Sequence, residues 1–404
     1  MSAFFKYFSI TLSLLIFTGN ILHSEGDYGG ITGQNREFNP ITTAVPFLMI
    51  APDARSGALG DAGVSSKPDV NSMHWNPAKY SFTEQDFGIS MNYTPWLRSL
   101  IDDINFSNLN AFYRIDDLQT VATSLKYFSL GEINFTGEAG QDLGTVRPNE
   151  FSVDVAYSRK LGDNLSGAIA ARYIYSNLTG GRFVENYETG PGQAIAADVA
   201  VYYQSELNWD TPTLFAAGLN ISNIGNKISY TDEHQANFLP TNLRLGPSLT
   251  FELDDFNTIT VMVDMNKLLV PTPPIYARDE DGNVKIDDDG NYIIESGKDP
   301  DRSVVAGIFG SFNDAPGGWQ EELQEIMFAT GVEYWYDNQF AIRAGYFNEH
   351  ENKGNRKYFT AGLGLKYNVF GIDFSYIIPV AQRSPLEDVL RFSLELDFEA
   401  LRMD

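Results

Sequence analysis

Four histidines, an acidic run near residue 280 and the absence of cysteine set the chemical reach of this 404-residue chain. No pair among His23, His74, His234 and His350 has zinc-site spacing. Without cysteine there is no disulfide, thiolate ligand, thiol nucleophile or lipid-bearing N-terminal cysteine. Asp279, Asp281 and Asn283 have the first three ligand spacings of an EF-hand loop. Val284, however, stands where that loop needs glycine, and Gly290 where it needs a bidentate glutamate. The repeated Asp-Gly-Asn at 281–283 and 289–291 reads instead as two tight turns in a solvated arm. Gly362 and Gly364 lie in an alternating segment, where they ease strand packing or curvature and do not make a phosphate loop. These residues predict no catalytic group, metal site or cofactor, and a surface hydrolase has no candidate side chains.

The elements that must position whatever chemistry remains are strands. From Phe87 to Phe398 short segments alternate apolar and polar residues. In the last of them Leu390, Phe392, Leu394, Leu396 and Phe398 share one face, and Arg391, Ser393, Glu395 and Asp397 share the other. Fourteen such segments are expected, the first at about 87–96 and the last at about 386–398. Six of their connections are tight: 116–118, 162–164, 208–212, 254–257, 337–339 and 368–369. The connections between these are long. That rhythm predicts an all-β fold, a fourteen-stranded antiparallel transmembrane β-barrel with short periplasmic turns and long external loops. Aromatics at 13% and 35 glycines suit membrane girdles and frequent turns. A net charge of −25 argues against nucleic acid as a partner, since a polyanion is repelled over most of the surface. The expected partner of the wall is the lipid bilayer.

Residues 1–24 have the pattern of an export signal, with Lys6 before the apolar run from Tyr7 to Phe17. Nothing later offers 18 uninterrupted apolar residues, so an exported chain of this kind can sit in a membrane only as a closed barrel. Residues 25–86 are too polar and too broken for wall strands. They form an expected plug-like segment at or inside the periplasmic mouth, with Trp75, Asn76 and Pro77 against the interior. Small inward residues leave it room: Ser166, Ala168, Ala170 and Arg172 on one strand, and Ala196, Asp198 and Ala200 on the next. Residues 87–404 are then the barrel, with a long loop at 271–326. Ser303 to Gly310 is expected in that loop because a fifteenth strand would break the rhythm, and Trp319 to Ile326 has a helical look.

One stretch carries a resemblance. Thr43 to Gly63 reads TAVPFLMIAPDARSGALGDAG and Asp69 to Ala78 reads DVNSMHWNPA. With Ala315 to Trp319 and Glu321 to Ile326 far along the chain, these runs closely resemble the PorV (LptO) family of the type IX secretion system. Asn76-Pro77-Ala78 by itself is shared with the wider fatty-acid-transporter-like barrels. The resemblance implies a fourteen-stranded barrel in the cell outer membrane without enzymatic activity. It further implies binding to the translocon barrel, receipt of cargo with a C-terminal signal domain, and delivery to the surface-attachment sortase. The competing expectation is an outer-membrane channel for hydrophobic small molecules such as fatty acids. A third set of residues is expected to touch partners: Phe183 and Val184, an aromatic and an aliphatic residue on a polar loop, and Trp319 beside the acidic arm.

Overall fold

The computed structural model describes residues 38–97, 103–136, 142–181, 183–184, 187–231, 236–280, 282–288, 290–381 and 384–397. The expected signal at 1–24 and the first part of the plug segment, 25–37, lie outside them. The wall begins with β1 (Phe87–Pro95), β2 (Ile104–Arg114), β3 (Gln119–Leu130), β4 (Asn149–Lys160), β5 (Leu165–Asn177), β6 (Gly192–Leu207) and β7 (Thr213–Gly225). It continues with β8 (Asn242–Glu252), β9 (Asn257–Leu268), β10 (Met327–Tyr336), β11 (Phe340–Asn348), β12 (Lys357–Tyr367), β13 (Phe370–Pro379) and β14 (Leu390–Asp397). Each strand pairs antiparallel with its neighbours in sequence, and β14 closes onto β1 with Gly88 opposite Asp397. Closure satisfies the backbone groups that a sheet edge would leave open to lipid.

The period of two decides which way each side chain points. On β14 Arg391 and Ser393 are buried while Phe392 and Leu394 are exposed, and β5 and β6 alternate in the same way. Outward positions such as Ile169, Ile195, Val155 and Leu363 form an apolar belt. Outward rings flank it, with Tyr113, Trp209, Phe256, Tyr336 and Tyr367 near the tight turns and Tyr93, Tyr127, Tyr173 and Phe359 near the long connections. This is the pattern lipid selects, apolar at the centre and aromatic at both interfaces.

The tight turns follow local chemistry. Asp337 and Asn338 both take positive φ (53° and 51°), as a two-residue hairpin turn requires. The Asp254 carboxylate accepts the Phe256 and Asn257 N–H groups at 2.9 Å each. Two irregularities mark the wall. The β8–β9 ladder skips Gly246 and Pro247, consistent with the missing proline N–H, and the β6–β7 register shifts between Ala197 and Val199.

At the other mouth the expected loop segment Ser303 to Gly310 is outside the wall, as the helix α3 (Val304–Gly310), and the helical look at Trp319 is the helix α4 (Trp319–Gln324). The long connections also carry small hairpins that the alternation did not announce: 133–136 with 142–146, 183–184 with 187–188, and 275–276 with 294–296.

Candidate functional site

The lumen is the candidate site, and it is filled by the chain's own N-terminal segment. Asp53 caps α1 (Ala54–Gly57), its Oδ2 accepting the Ser56 N–H at 2.7 Å while its Oδ1 accepts the Trp75 indole N–H at 2.5 Å. A second short helix, α2 (Ser72–Trp75), leads into the 3-10 turn Pro77–Phe82. Asn76 opens that turn by accepting the Ala78 N–H, and its amide donates to the Val64 and Val201 carbonyls at 3.0 Å each. Trp75, Asn76 and Pro77 are all buried. Asn220 of β7 donates to the Trp75 carbonyl at 3.1 Å, and the Arg244 guanidinium of β8 lies 4.6 Å from the Trp75 ring centre.

Wall strands around the barrel reach inward to this segment. Asp264 of β9 accepts the Gly63 and Val64 N–H groups at 2.8 and 2.9 Å, and Thr360 of β12 donates to the Ala58 carbonyl. Ser90, Asn92 and Asn110 converge on the side-chain oxygen Oδ1 of Asn71, whose Nδ2 donates to Glu395 at 2.8 Å. Arg55 forms a bidentate pair with Glu333 of β10 at 2.8 and 3.0 Å and a second pair with Asp69 at 2.8 Å. Glu333 also binds Arg343 at 2.6 Å, and Arg343 binds Asp373. On the opposite wall Arg172 bridges Asp154, Asp198 and Asn223. The β6–β7 irregularity lies beside Asp198, which also accepts the Asn223 N–H at 2.8 Å.

Backbone meets backbone where the wall has glycine at inward positions. A Cβ on Gly345 would lie 2.0 Å from the Gly60 nitrogen, and one on Gly218 would lie 2.1 Å from the Val64 oxygen. Gly362 makes room for Ala58. Ser166 donates to the Ala78 carbonyl, and Ala168 and Ala200 pack with Ala78.

Residues 38–86 run through the lumen from one mouth to the other. Residues 83–86 do meet the wall at the tight-turn end, where β1 starts. Residues 38–48 reach the opposite end. Asn39 donates its N–H to the Asn352 carbonyl at 2.9 Å and its amide to the Pro273 carbonyl and Glu321, and Ala44 donates to the Phe238 carbonyl. All four partners belong to long connections. Val45, Phe47 and Leu48 pack with Ile104, Phe128 and Ile174 near the long-connection ends of the wall. There the apolar run Val45 to Ile50 meets apolar wall residues.

A cleft of about 240 Å³ lies there between segment and wall, lined by Phe47, Met49, Ile50, Trp96, Phe128 and Ile377 with Arg391 and Tyr358. Over the same mouth, α4 turns Glu321 and Glu322, with Glu325 just beyond it, inward to Lys267 (3.0 Å to Glu322, 2.5 Å to Glu325) and Lys353 (2.5 Å to Glu321, 3.0 Å to Glu325). Burial pushes the nearby Asp314 carboxyl above its ordinary range and holds the His350 imidazole below its own.

Trp319 is exposed on the outer side of α4. Phe183 and Val184 form one strand of a small hairpin, opposite Glu188 and Tyr187, and their side chains lie outside what the structure describes. The geometry does not bring these residues together with Trp75, Asn76 and Pro77. In the arm, Asp279 and Asp287 each accept a backbone N–H, from Asn283 and Asn291, at 2.8 Å, so these carboxylates close turns. Among the described residues no group of three metal-ligating side chains converges. The sequence reading missed Arg55, Asn71, Asp264 and Glu333. For Asp264 and Glu333 the available signal was a charged residue at an inward strand position.

A closed barrel with an apolar outer belt, two aromatic girdles and a polar filled lumen is an outer-membrane β-barrel protein. Residues 33–275 match the family described as type IX secretion system protein PorV, and the chain belongs to that family. No curated protein matches it. Among solved structures it is similar to the P. putida toluene transporter TodX (10% identity, 86% of this chain and 98% of that one, TM-score 0.48). It is also similar to the Ralstonia pickettii toluene transporter TbuX (10%, 85% and 96%, 0.43) and to a Pseudomonas aeruginosa FadL homologue (10%, 87% and 99%, 0.42).

Proposed function

We propose that the protein serves type IX secretion as a binding component, engaging the translocon barrel and passing cargo with a C-terminal signal domain to the surface-attachment sortase. The family match over residues 33–275 carries this reading. The lumen contents support binding over conduction. The N-terminal segment is tied to many wall strands by buried hydrogen bonds and ion pairs, so a protein-sized path through the barrel would require its wholesale removal. Partner contacts fall to the long connections, with Phe183, Val184 and Trp319 as the proposed anchors.

The test is deletion of the gene followed by complementation with the full chain, reading the amount of C-terminal-signal protein attached at the surface. Loss on deletion and recovery on complementation are expected. Unchanged surface attachment in the deletion strain overturns the reading.

The cleft at the long-connection mouth favours a second reading, a path for hydrophobic small molecules, because its lining is largely apolar. Uptake of a labelled hydrocarbon or fatty acid that falls on deletion, with secretion intact, would move the assignment there.

A further inference from the structure

The two helices of the long loop point their apolar side chains the wrong way for a folded cap. Val305, Phe309 and Phe312 fall along one side of α3 and its C-terminal turn, and they are 65%, 76% and 52% exposed. Trp319 and Leu323, one turn apart on α4, are 73% and 46% exposed. Neither helix can roll over to bury them, because the inner faces are held. Gly307 packs so closely on Phe238 and Pro271 that a Cβ there would lie 2.8 Å from the Phe238 ring. Glu321, Glu322 and Glu325 are locked to Lys267 and Lys353. The two helices lie in a long connection, between the wall ends Leu268 and Met327.

The acidic arm rises beside them. The root of its hairpin is tied to the segment before α4 by the Ser296 hydroxyl, which donates to the Pro316 carbonyl at 2.8 Å. Asp279, Glu280, Asp287 and Asp288 are exposed along the arm, against only Arg278 and Lys285. The glutamates at α4 are buried against lysines, so the negative charge exposed on this face lies on the arm. An anionic lipid surface is repelled by it. A polypeptide that offers an apolar cleft rimmed by lysine and arginine complements both features.

We propose that Val305, Phe309, Phe312, Trp319 and Leu323, with the arm at 279–288, form a docking face for a protein partner of that chemistry. This rests on the secretion reading above and gives it a surface and a partner type.

The test uses photo-crosslinking in growing cells with Phe309→p-benzoylphenylalanine and Trp319→p-benzoylphenylalanine in the full chain, and Ile372→p-benzoylphenylalanine on the outer wall as control. The expected result is a protease-sensitive adduct at 309 and 319 and none at 372. Its partner peptide, identified by mass spectrometry, should carry apolar residues flanked by Lys or Arg. Adduct yield should fall roughly tenfold or more when Asp279, Glu280, Asp287 and Asp288 are all replaced by Lys.

Lipid-only adducts, no adduct, or a yield indifferent to the charge reversal overturns the docking face. A deletion strain that secretes normally instead overturns the secretion reading itself, so the two failures are separable.

Discussion

The N-terminal segment inside the lumen and the two-helix cap above it are both irregular, both built from helices of seven residues or fewer, and both rich in charge. They solve burial in opposite ways. Inside the lumen, polar and apolar side chains go under together, because inward strand positions offer donors, acceptors and small residues at fixed places and, in patches, large apolar residues. In the cap the charges go in, to two lysines at the lumen mouth, and the rings stay out. A barrel interior therefore accepts glutamate and arginine wherever inward strand positions supply their partners. Apolar residues that reach its mouth pack there only where the wall has apolar partners, as Phe47 does on Phe128, and otherwise remain exposed, as Phe309 does.

The sharpest way to break this comparison concerns which mouth the lumen segment emerges from. The chain has no cysteine, so single-cysteine labelling is unambiguous. With Phe38→Cys, a membrane-impermeant maleimide should label intact cells, whereas Asp163→Cys on a tight turn should label only after lysis. The reverse pattern would put the segment's start at the periplasmic mouth.

Gly345→Val tests the backbone contact with Gly60 and should cost about 3 kcal/mol or more through overpacking that backbone cannot relieve. Limited proteolysis should then cut residues 38–86 while the wall keeps its heat-modifiable gel mobility.

Glu333→Ala leaves the buried guanidiniums of Arg55 and Arg343 without their shared carboxylate, an expected loss of about 3–5 kcal/mol. Thermal unfolding in detergent measures it, and Glu333→Gln should recover part.

Lys353→Ala sharpens the contrast, because it removes the cation shared by Glu321 and Glu325 of the cap, leaving Glu325 its pair with Lys267, without touching the wall ladder. About 1–3 kcal/mol should be lost locally, seen as faster proteolysis between 297 and 326 with the unfolding of the wall unchanged.

Trp319→Ser should change stability by no more than about 0.5 kcal/mol, since the ring is exposed. A larger loss would mean the ring is packed against its own cap.

Much of the fold is legible in the order of residues alone. The wall is specified by a strictly local period of two, and the tight turns by residues such as Asp337 and Asn338 that tolerate positive φ, so strand number, order and facing follow from short windows of sequence. The inward position of Arg172 and Asp198 is readable for the same reason. The lumen assembly is not. Arg55 meets Glu333 across 278 positions of chain, and Gly63 meets Asp264 across 201. No local period encodes such partners, because a side chain inside a barrel is matched to whichever strand closure brings opposite it. The direction in which residues 38–86 run through the lumen likewise rests on long-range contacts such as Asn39 with Asn352 and Phe47 with Phe128. The exposure of Phe309 and Trp319 is decided by the inner faces of their helices being fixed first, to Phe238 and Pro271 for one and to Lys267 and Lys353 for the other.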